Sequence, residues 1–407
     1  MKRVNTISAI ILLIAMAGCG GRNKQSTDDI ITVDVTKSYP KKELILQDVF
    51  DVEYIALDDT SDEFLTQGLI RAIGKEMIIT RNYGVAGDIY LFDRNGKGLR
   101  SFNRRGQGPG EYPSFSSITL DEDNNEIFVL SVGQQKLFVY DLFGNFQRSL
   151  AWERQIGFVV VGNFDRDHLI INVYNDLIAG IEIGGSGEVE ERFYIMSKKD
   201  GTITAIQVPF QQRILRSFYG RSGEVVALGP QNQVLIPDRD SWVLVEPSTD
   251  TIYRLLTDFS MTPFIVRTPS VQSMNPEVFL FPSVITDRYV FMQTVKKEIA
   301  STTRVNENVS THTYPRHDVL YDIREKALFE YTVYNDDFSA KRLVSLAFEN
   351  HAVSPFLNNE IAFFQLLQSH ELVEAYERGE LKGKLKDVAA ELNAESNPVI
   401  MLMKHKK

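Results

Sequence analysis

Two stretches of this chain repeat one another. Residues 89–102 read IYLFDRNGKGLRSF and residues 137–150 read LFVYDLFGNFQRSL. Aligned without a gap, Asp93 falls on Asp141, Gly96 on Gly144, Arg100 on Arg148 and Ser101 on Ser149, an offset of 48 residues. Each copy has the same physical plan. Four strand-prone residues lead to an Asp whose carboxylate can accept backbone N–H groups two residues on. A Gly free to take positive φ follows, then a second strand. Between the copies, Ile118–Leu120 and Glu126–Leu130 flank the turn DEDNN, so one period holds about four strands. A four-stranded unit repeating every 40 to 50 residues or so is a propeller blade.

The pattern continues in weaker form. Strands are expected at His168–Val173, Arg192–Ser197 and Ile203–Gln207, and another candidate set comprises Val225–Leu228, Gln233–Ile236, Trp242–Glu246 and Thr251–Leu255. Val284–Thr286 and Tyr289–Thr294 flank Asp287-Arg288, and Val319–Asp322 and Leu328–Tyr331 flank Arg324-Glu325. Strands thus run from about Ile31 to about Phe348, a span that blades of roughly 50 residues divide into six, with seven possible. The fold expected is all-β, a six-bladed β-propeller. A pair of β-sandwiches is the rival, and it leaves the 48-residue offset unexplained. The C-terminal segment, 349–407, differs. A helix is expected from Ile361 to Arg378, stopping at Gly379, and Leu381, Leu385, Val388 and Leu392 fall at helical spacing. After Asn397-Pro398, the run VIMLM (399–403) reads as a buried strand that pairs into the first or last blade and closes the ring.

The N-terminus carries a separate signal. Lys2 and Arg3 precede an apolar run from Ala9 to Ala17, too short for a membrane-spanning helix, and Ala17 and Gly18 precede Cys19, the only cysteine. Residues 1–18 read as a secretory signal peptide. The segment Met16-Ala17-Gly18-Cys19 resembles a bacterial lipobox, with Met where Leu is usual, and the resemblance implies that Cys19 is acylated. Gly20 in place of Asp points to the outer membrane, with attachment through the N-terminal lipid. The polar stretch 21–29 reads as a tether leading to a propeller over 30–348. Residues 1–18 hold two of the 44 basic residues and none of the 54 acidic ones, so the mature chain shifts from −10 to −12. That charge disfavours nucleic acid as a partner. With Cys19 acylated no thiol remains for a disulfide, and stability must come from burial and ring closure.

The segment RRGQGPGEY (104–112), the run DNNEIFVLSVGQQKLFVYDLFGNF, the stretches DVEYIALDD (51–59) and DTIYRL (250–255), and the ending NPVIMLMKHK together resemble a six-bladed β-propeller family of Gram-negative bacterial lipoproteins, related to NHL-repeat propellers. Residues 349–370 depart from its pattern. The resemblance implies fold and location, not an activity.

The loop NRRGQGPGEYP (103–113) is the leading ligand-site candidate. Its glycines let backbone approach a ligand, Arg104 and Arg105 can pair with a carboxylate or sulfate, and Glu111 and Tyr112 can bind hydroxyls. The competing reading is a structural crossover between blades. The loop lacks the G-K-[ST] ending of a phosphate loop. His312 and His317 have four residues between them, with Asp318 next to His317, but Pro315 removes the helical face a metal pair would need. DEDNN (121–125) lacks the glycine of a calcium loop, and no metal or cofactor is expected. Trp152 and Trp242 are candidate sugar platforms with core packing as the default, and IGGSGEVEE (183–191) reads as a surface insertion. No H-E-x-x-H or G-x-S-x-G occurs. The sequence therefore favours a binding protein with an unidentified protein or glycan ligand. A glycan-active lyase or hydrolase with an axial site is the alternative.

Overall fold

The computed structural model describes residues 30–82, 84, 87–152, 158–173, 191–219, 225–304, 310–347 and 356–406. Residues 1–29, with Cys19, and most of the 183–191 insertion lie outside them.

Six antiparallel sheets form the blades of a propeller, as the repeat predicts. Blade I runs through Leu69–Ile73, Met77–Arg81, Asp88–Asp93 and Gly98–Asn103, from the axis outward. Blade II repeats it with Ser117–Asp121, Glu126–Ser131, Lys136–Asp141 and Phe146–Ala151. Blade III follows with Phe158–Asn163, His168–Val173, Phe193–Ser197 and Ile203–Ile206. Blade IV is Leu235–Asp238, Ser241–Leu244, Thr251–Leu256 and Met261–Thr268, and blade V is Val278–Ile285, Tyr289–Lys296, Arg316–Asp322 and Ala327–Asn335. The middle strands are buried on both faces because each blade packs between two others. Ile127–Ser131 is buried throughout, whereas the outer strand Phe146–Ala151 is largely exposed.

The repeated turns work as the sequence implies. In blade I, Asp93 Oδ1 accepts the N–H groups of Asn95 at 2.8 Å and Lys97 at 3.0 Å, and Gly96 sits at φ +86°. In blade II, Asp141 Oδ1 accepts those of Phe143 at 2.8 Å and Asn145 at 2.9 Å, with Gly144 at φ +78°.

Blade VI joins the two ends of the chain. Phe356–Leu357 leads into it and pairs in parallel with Ala72–Ile73, on the inner edge of the sheet of blade I. Ile361–Leu367 follows, then Val399–His405, and the outermost strand is Phe50–Ala56 from the N-terminal region. The expected boundary at 348 therefore falls between the fifth and sixth blades. The segment 399–403 is the expected closing strand, and its five residues are almost wholly buried. Upstream, Ile31–Asp34 adds in parallel to the outer edge of blade IV and Lys41–Ile45 to that of blade V. The chain thus walks along two blade edges as a strap before completing the third blade, and it covers strand edges that would otherwise be unpaired.

Two secondary-structure expectations need correction. Residues 361–367 form a strand, and the helix runs only from Ser369 to Glu377. Pairing with Val399–Lys404 overrides the local helical reading. Gly379, at φ +68°, does end that helix, and a second helix, Gly383–Ala389, buries Leu385. Val225–Ala227 belongs to no blade. It pairs with Phe218–Tyr219 in a separate ribbon within the long connection from blade III to blade IV.

Strand direction defines two faces. Turns between first and second strands, and between third and fourth, lie on one side, here the turn face. The other connections, with the helical segment 369–389 and the hairpin Ser301–Arg304/Ser310–Thr313, lie on the crossover face. Among the described residues, no helix is long and apolar enough to cross a membrane.

Candidate functional site

The loop 103–113 carries the chain from the outer strand of blade I to the inner strand of blade II. Tyr112 is fully buried. Its hydroxyl donates to the Gly87 carbonyl at 2.9 Å and accepts the Arg104 N–H at 3.2 Å. Its ring packs edge-on against Phe115, Phe138 and Tyr140 at 5.1–6.3 Å. Burial pushes its phenol up to about 12. Tyr112 is thus a core anchor, a correction to its expected place at a ligand surface. Arg104 Nε donates to the Gly144 carbonyl at 2.9 Å, tying the loop to the next blade's turn. Glu111 folds back to accept the Gly108 N–H at 2.9 Å, and a Cβ at Gly106 would lie 1.9 Å from its Oε2, which explains that glycine. Arg105 is exposed. Of the four candidates, Arg104, Glu111 and Tyr112 bond within or across the crossover, and Arg104 and Arg105 are exposed.

The other sequence candidates are also placed. Asp121 is buried and accepts Lys198 Nζ at 2.6 Å, and Glu122 accepts the N–H groups of Lys75, Glu76 and Met77 at 2.6–3.2 Å. The acidic turn therefore staples blade II to blades III and I. His312 lies on the exposed hairpin with Nδ1 2.9 Å from Thr302 Oγ1, while His317 lies on the third strand of blade V. Among the described residues, no group of three metal-ligating side chains forms. Trp152 and Trp242 are 6% and 7% exposed, so both are core residues, the default reading.

A small pocket lies where residues of blades IV, V and VI meet. Gln233, Ile236, Ser283, Leu357, Ile361 and His405 enclose about 20 Å³, room for one water. Gln233 Oε1 and His405 Nδ1 have no hydrogen-bond partner among the described residues, which makes them the natural partners of such a water. Burial, reinforced by nearby Arg239, holds the His405 imidazole below its ordinary value.

A larger space, missed from the sequence, lies between blades III and IV. This groove of about 730 Å³ is lined by Ile195, Ile206, Leu255, Phe259 and Met261, with His168 and Ser197 at one side. Phe259 stacks on Phe164 at 5.4 Å and meets His168 edge-on at 5.3 Å. His168 Nδ1 is 3.0 Å from both Asp165 oxygens, and Ser197 lies directly across the strand pair. This brings a Ser, a His and an Asp together. Nucleophilic catalysis needs the hydroxyl within hydrogen-bond reach of the imidazole, and no hydrogen bond joins Ser197 to His168. Asp165 also accepts the N–H groups of Asp167 and His168, the work of a turn residue. The groove's apolar wall and aromatic corner suit binding. The signal was faint: His168 opens its strand after NFDRD, and Phe259 sits in a turn with nothing to mark it.

No curated protein matches the sequence. Among solved structures, the chain is similar to a protein of Bacteroides fragilis NCTC 9343 designated as exported, with 15% identity, a TM-score of 0.57, and coverage of 93% of this chain and 100% of that one. A member of the DUF4221 family from Bacteroides vulgatus aligns at 9% identity and a TM-score of 0.44, covering 88% and 96%. The first similarity is one of fold. The family model described as "Domain of unknown function (DUF4934)" matches residues 30–404, the strap and all six blades, and the chain belongs to that family.

Proposed function

We propose that this protein is an exported lipoprotein, held in the cell envelope through Cys19, whose propeller binds a partner on its crossover face. The observation that carries the reading is where the strap begins. Ile31 lines a groove with Asp238–Ser241, Ile323 and Lys326, residues of turns or next to them. A chain anchored just upstream of Ile31 would hold its turn face toward the membrane and present the crossover face, with Arg105 and the helical segment, to the surroundings. The signal-like N-terminus, the lipobox-like Met16–Cys19 and the exported designation of the B. fragilis neighbour support export and anchoring. Arg105 is the proposed ligand contact, with Arg104, Glu111 and Tyr112 as its frame. The ligand is a protein or glycan bearing carboxylate or sulfate groups, which a guanidinium pairs well. Growth with an alkyne fatty acid should label the wild type and not Cys19→Ala. A thermal-shift screen against acidic glycans and peptides should raise the wild-type melting temperature and leave Arg105→Ala unmoved. An unlabelled wild type would remove the anchor, and equal shifts in both proteins would remove the site.

The alternative is glycan-active chemistry. It draws on His168 and Ser197, which line the groove between blades III and IV, with Asp165 beside the His168 ring. Turnover of a glycan that disappears in His168→Ala would favour it.

A further inference from the structure

We propose that the groove between blades III and IV binds a neutral saccharide, with Phe259 as the fixed platform on which a sugar ring stacks. This rests on neither the anchor at Cys19 nor the Arg105 site, and it adds a second binding site to the propeller.

The starting point is a backbone conformation. In blades I and II the turn between the third and fourth strands closes on a glycine N–H. Gly96 donates to the Asp93 carbonyl at 3.1 Å, and Gly144 to the Asp141 carbonyl at 3.0 Å. Blade IV makes the same turn, but the donor is Phe259, to the Leu256 carbonyl at 2.9 Å. Phe259 takes φ +63°, where Gly96 takes +86° and Gly144 +78°. Glycine enters this left-handed region freely, and a bulky side chain does so only at a cost. The other non-glycine residues at positive φ among the described residues are Asn125, Gln135, Arg239 and Lys326, all polar. Burial only partly offsets the strain at Phe259, because the residue is 48% exposed.

The strained ring is held still. It stacks on Phe164 with centroids 5.4 Å and planes 16° apart, and it meets the His168 ring edge-on at 5.3 Å. His168 is steadied by Asp165, whose two oxygens each lie 3.0 Å from Nδ1. An exposed aromatic already fixed in one orientation loses little freedom when a ligand covers it.

The lining chemistry selects the ligand. The groove of about 730 Å³ has the size of a small-molecule site. Ile206, Leu255 and Met261 give it an apolar wall, and Ser197, Thr202, Thr204 and Gln207 supply hydroxyls and an amide. No Lys, Arg, Asp or Glu lines it, although such residues make up 24% of the chain. A charged ligand would lose its hydration there without meeting a counter-charge. A wholly apolar ligand would cover Thr204 and Gln207 without pairing them. A neutral sugar ring has an apolar C–H face for the aromatic and hydroxyls at its edge for the neutral polar groups, which matches both walls.

Calorimetric titration and saturation-transfer NMR of the mature protein test this, with neutral oligosaccharides of glucose, mannose, galactose and N-acetylglucosamine as probes. At least one should bind. Phe259→Gly restores the residue of blades I and II, so it should fold and should bind that sugar at least about tenfold more weakly. Phe259→Asn, which also tolerates this backbone, should show the same loss and serves if the glycine variant fails to fold. Phe259→Tyr keeps the ring and should keep the binding. Arg105→Ala should bind the neutral sugar as the wild type does, and in that background oligogalacturonate should bind at least about tenfold more weakly than the neutral sugar. Absence of any neutral binder, equal binding by the wild type and both ring-deleted variants, or parity of the acidic and neutral sugars overturns the proposal. Binding lost in Arg105→Ala and kept in Phe259→Gly also overturns it, while leaving the Arg105 site standing.

Discussion

Phe50 lies directly opposite His405, so residues near the two ends of the described chain are cross-strand neighbours in one blade. From there the pairing runs through Tyr54 opposite Met401 to Ala56 opposite Val399. Closure of the ring is therefore a contact of very long sequence separation. Without it, blades I and VI would each expose a flank. The consequences can be tested residue by residue.

The repeated hairpin turn sets the first expectation. Gly96 is at φ +86°, and a Cβ there would lie 2.0 Å from the Ala56 carbonyl oxygen of blade VI. Gly96→Ala should therefore destabilise by roughly 1–3 kcal/mol, seen as a lower urea midpoint with an unchanged slope. A change within 0.5 kcal/mol or so would mean that the turn is not built as described.

The strap is clasped to blade V by a carboxylate. Asp322, with its side chain fully buried, accepts Lys42 Nζ at 2.8 Å and Arg288 Nη2 at 3.1 Å. Burial alone would raise its pKa, but the hydrogen bonds from Lys42 and Arg288 outweigh burial and hold it at about 2, below the ordinary 3.8. A carboxylate depressed in the folded state contributes stability that is complete above the unfolded value and is lost as the pH falls through the folded one. Stability should therefore fall between about pH 4 and pH 2. Asp322→Asn should be less stable at neutral pH and show a flatter acid limb, which denaturant midpoints across that range would reveal.

Blades III and IV share a buried ion pair. Arg192 Nε and Glu246 Oε2 are 2.8 Å apart, with side chains 1% and 2% exposed. Burial would raise the Glu246 carboxyl, yet Arg192, helped by Ser248 and Arg213, keeps it below its ordinary value. Glu246→Ala should cost about 3–5 kcal/mol, because it takes away the buried carboxylate to which the Arg192 guanidinium is bonded. The double variant with Arg192→Leu should lose less than the two single losses combined, a non-additivity that a double-mutant cycle measures.

The crossover loop separates frame from surface. Tyr112→Ala should cost about 3–5 kcal/mol through lost packing, and Tyr112→Phe about 1 kcal/mol through the lost bond to Gly87. Arg105→Ala should change stability by less than about 0.5 kcal/mol while weakening the binding of an acidic ligand. Thermal unfolding with and without ligand distinguishes these outcomes.

How much of this was legible in the sequence depended on whether the information was local. The Asp–Gly turns at 93–96 and 141–144 declare themselves because an Asx-capped turn needs those residue types wherever it occurs. The closing strand 399–403 was readable from five apolar residues after a proline. Residues 361–367 were not, because IAFFQLL fits either state until Val399–Lys404 is beside it. Arg104, Glu111 and Tyr112 looked like ligand groups because charged and aromatic residues on a glycine-rich loop suit binding. Their partners, Gly144 and Gly87 among them, lie up to forty positions away. The groove of His168, Ser197 and Phe259 was invisible for the same reason: it is assembled by blade packing.

The account rests on Phe50–Ala56 being the outer strand of the sixth blade, and hydrogen exchange on the mature protein tests that directly. Amides in 50–56 that bond to 399–405 should exchange as slowly as those in Glu126–Ser131 at the centre of blade II, opening only with global unfolding. Exchange of 50–56 within seconds, while blade II stays protected, would mean that the ring is not closed by this strand.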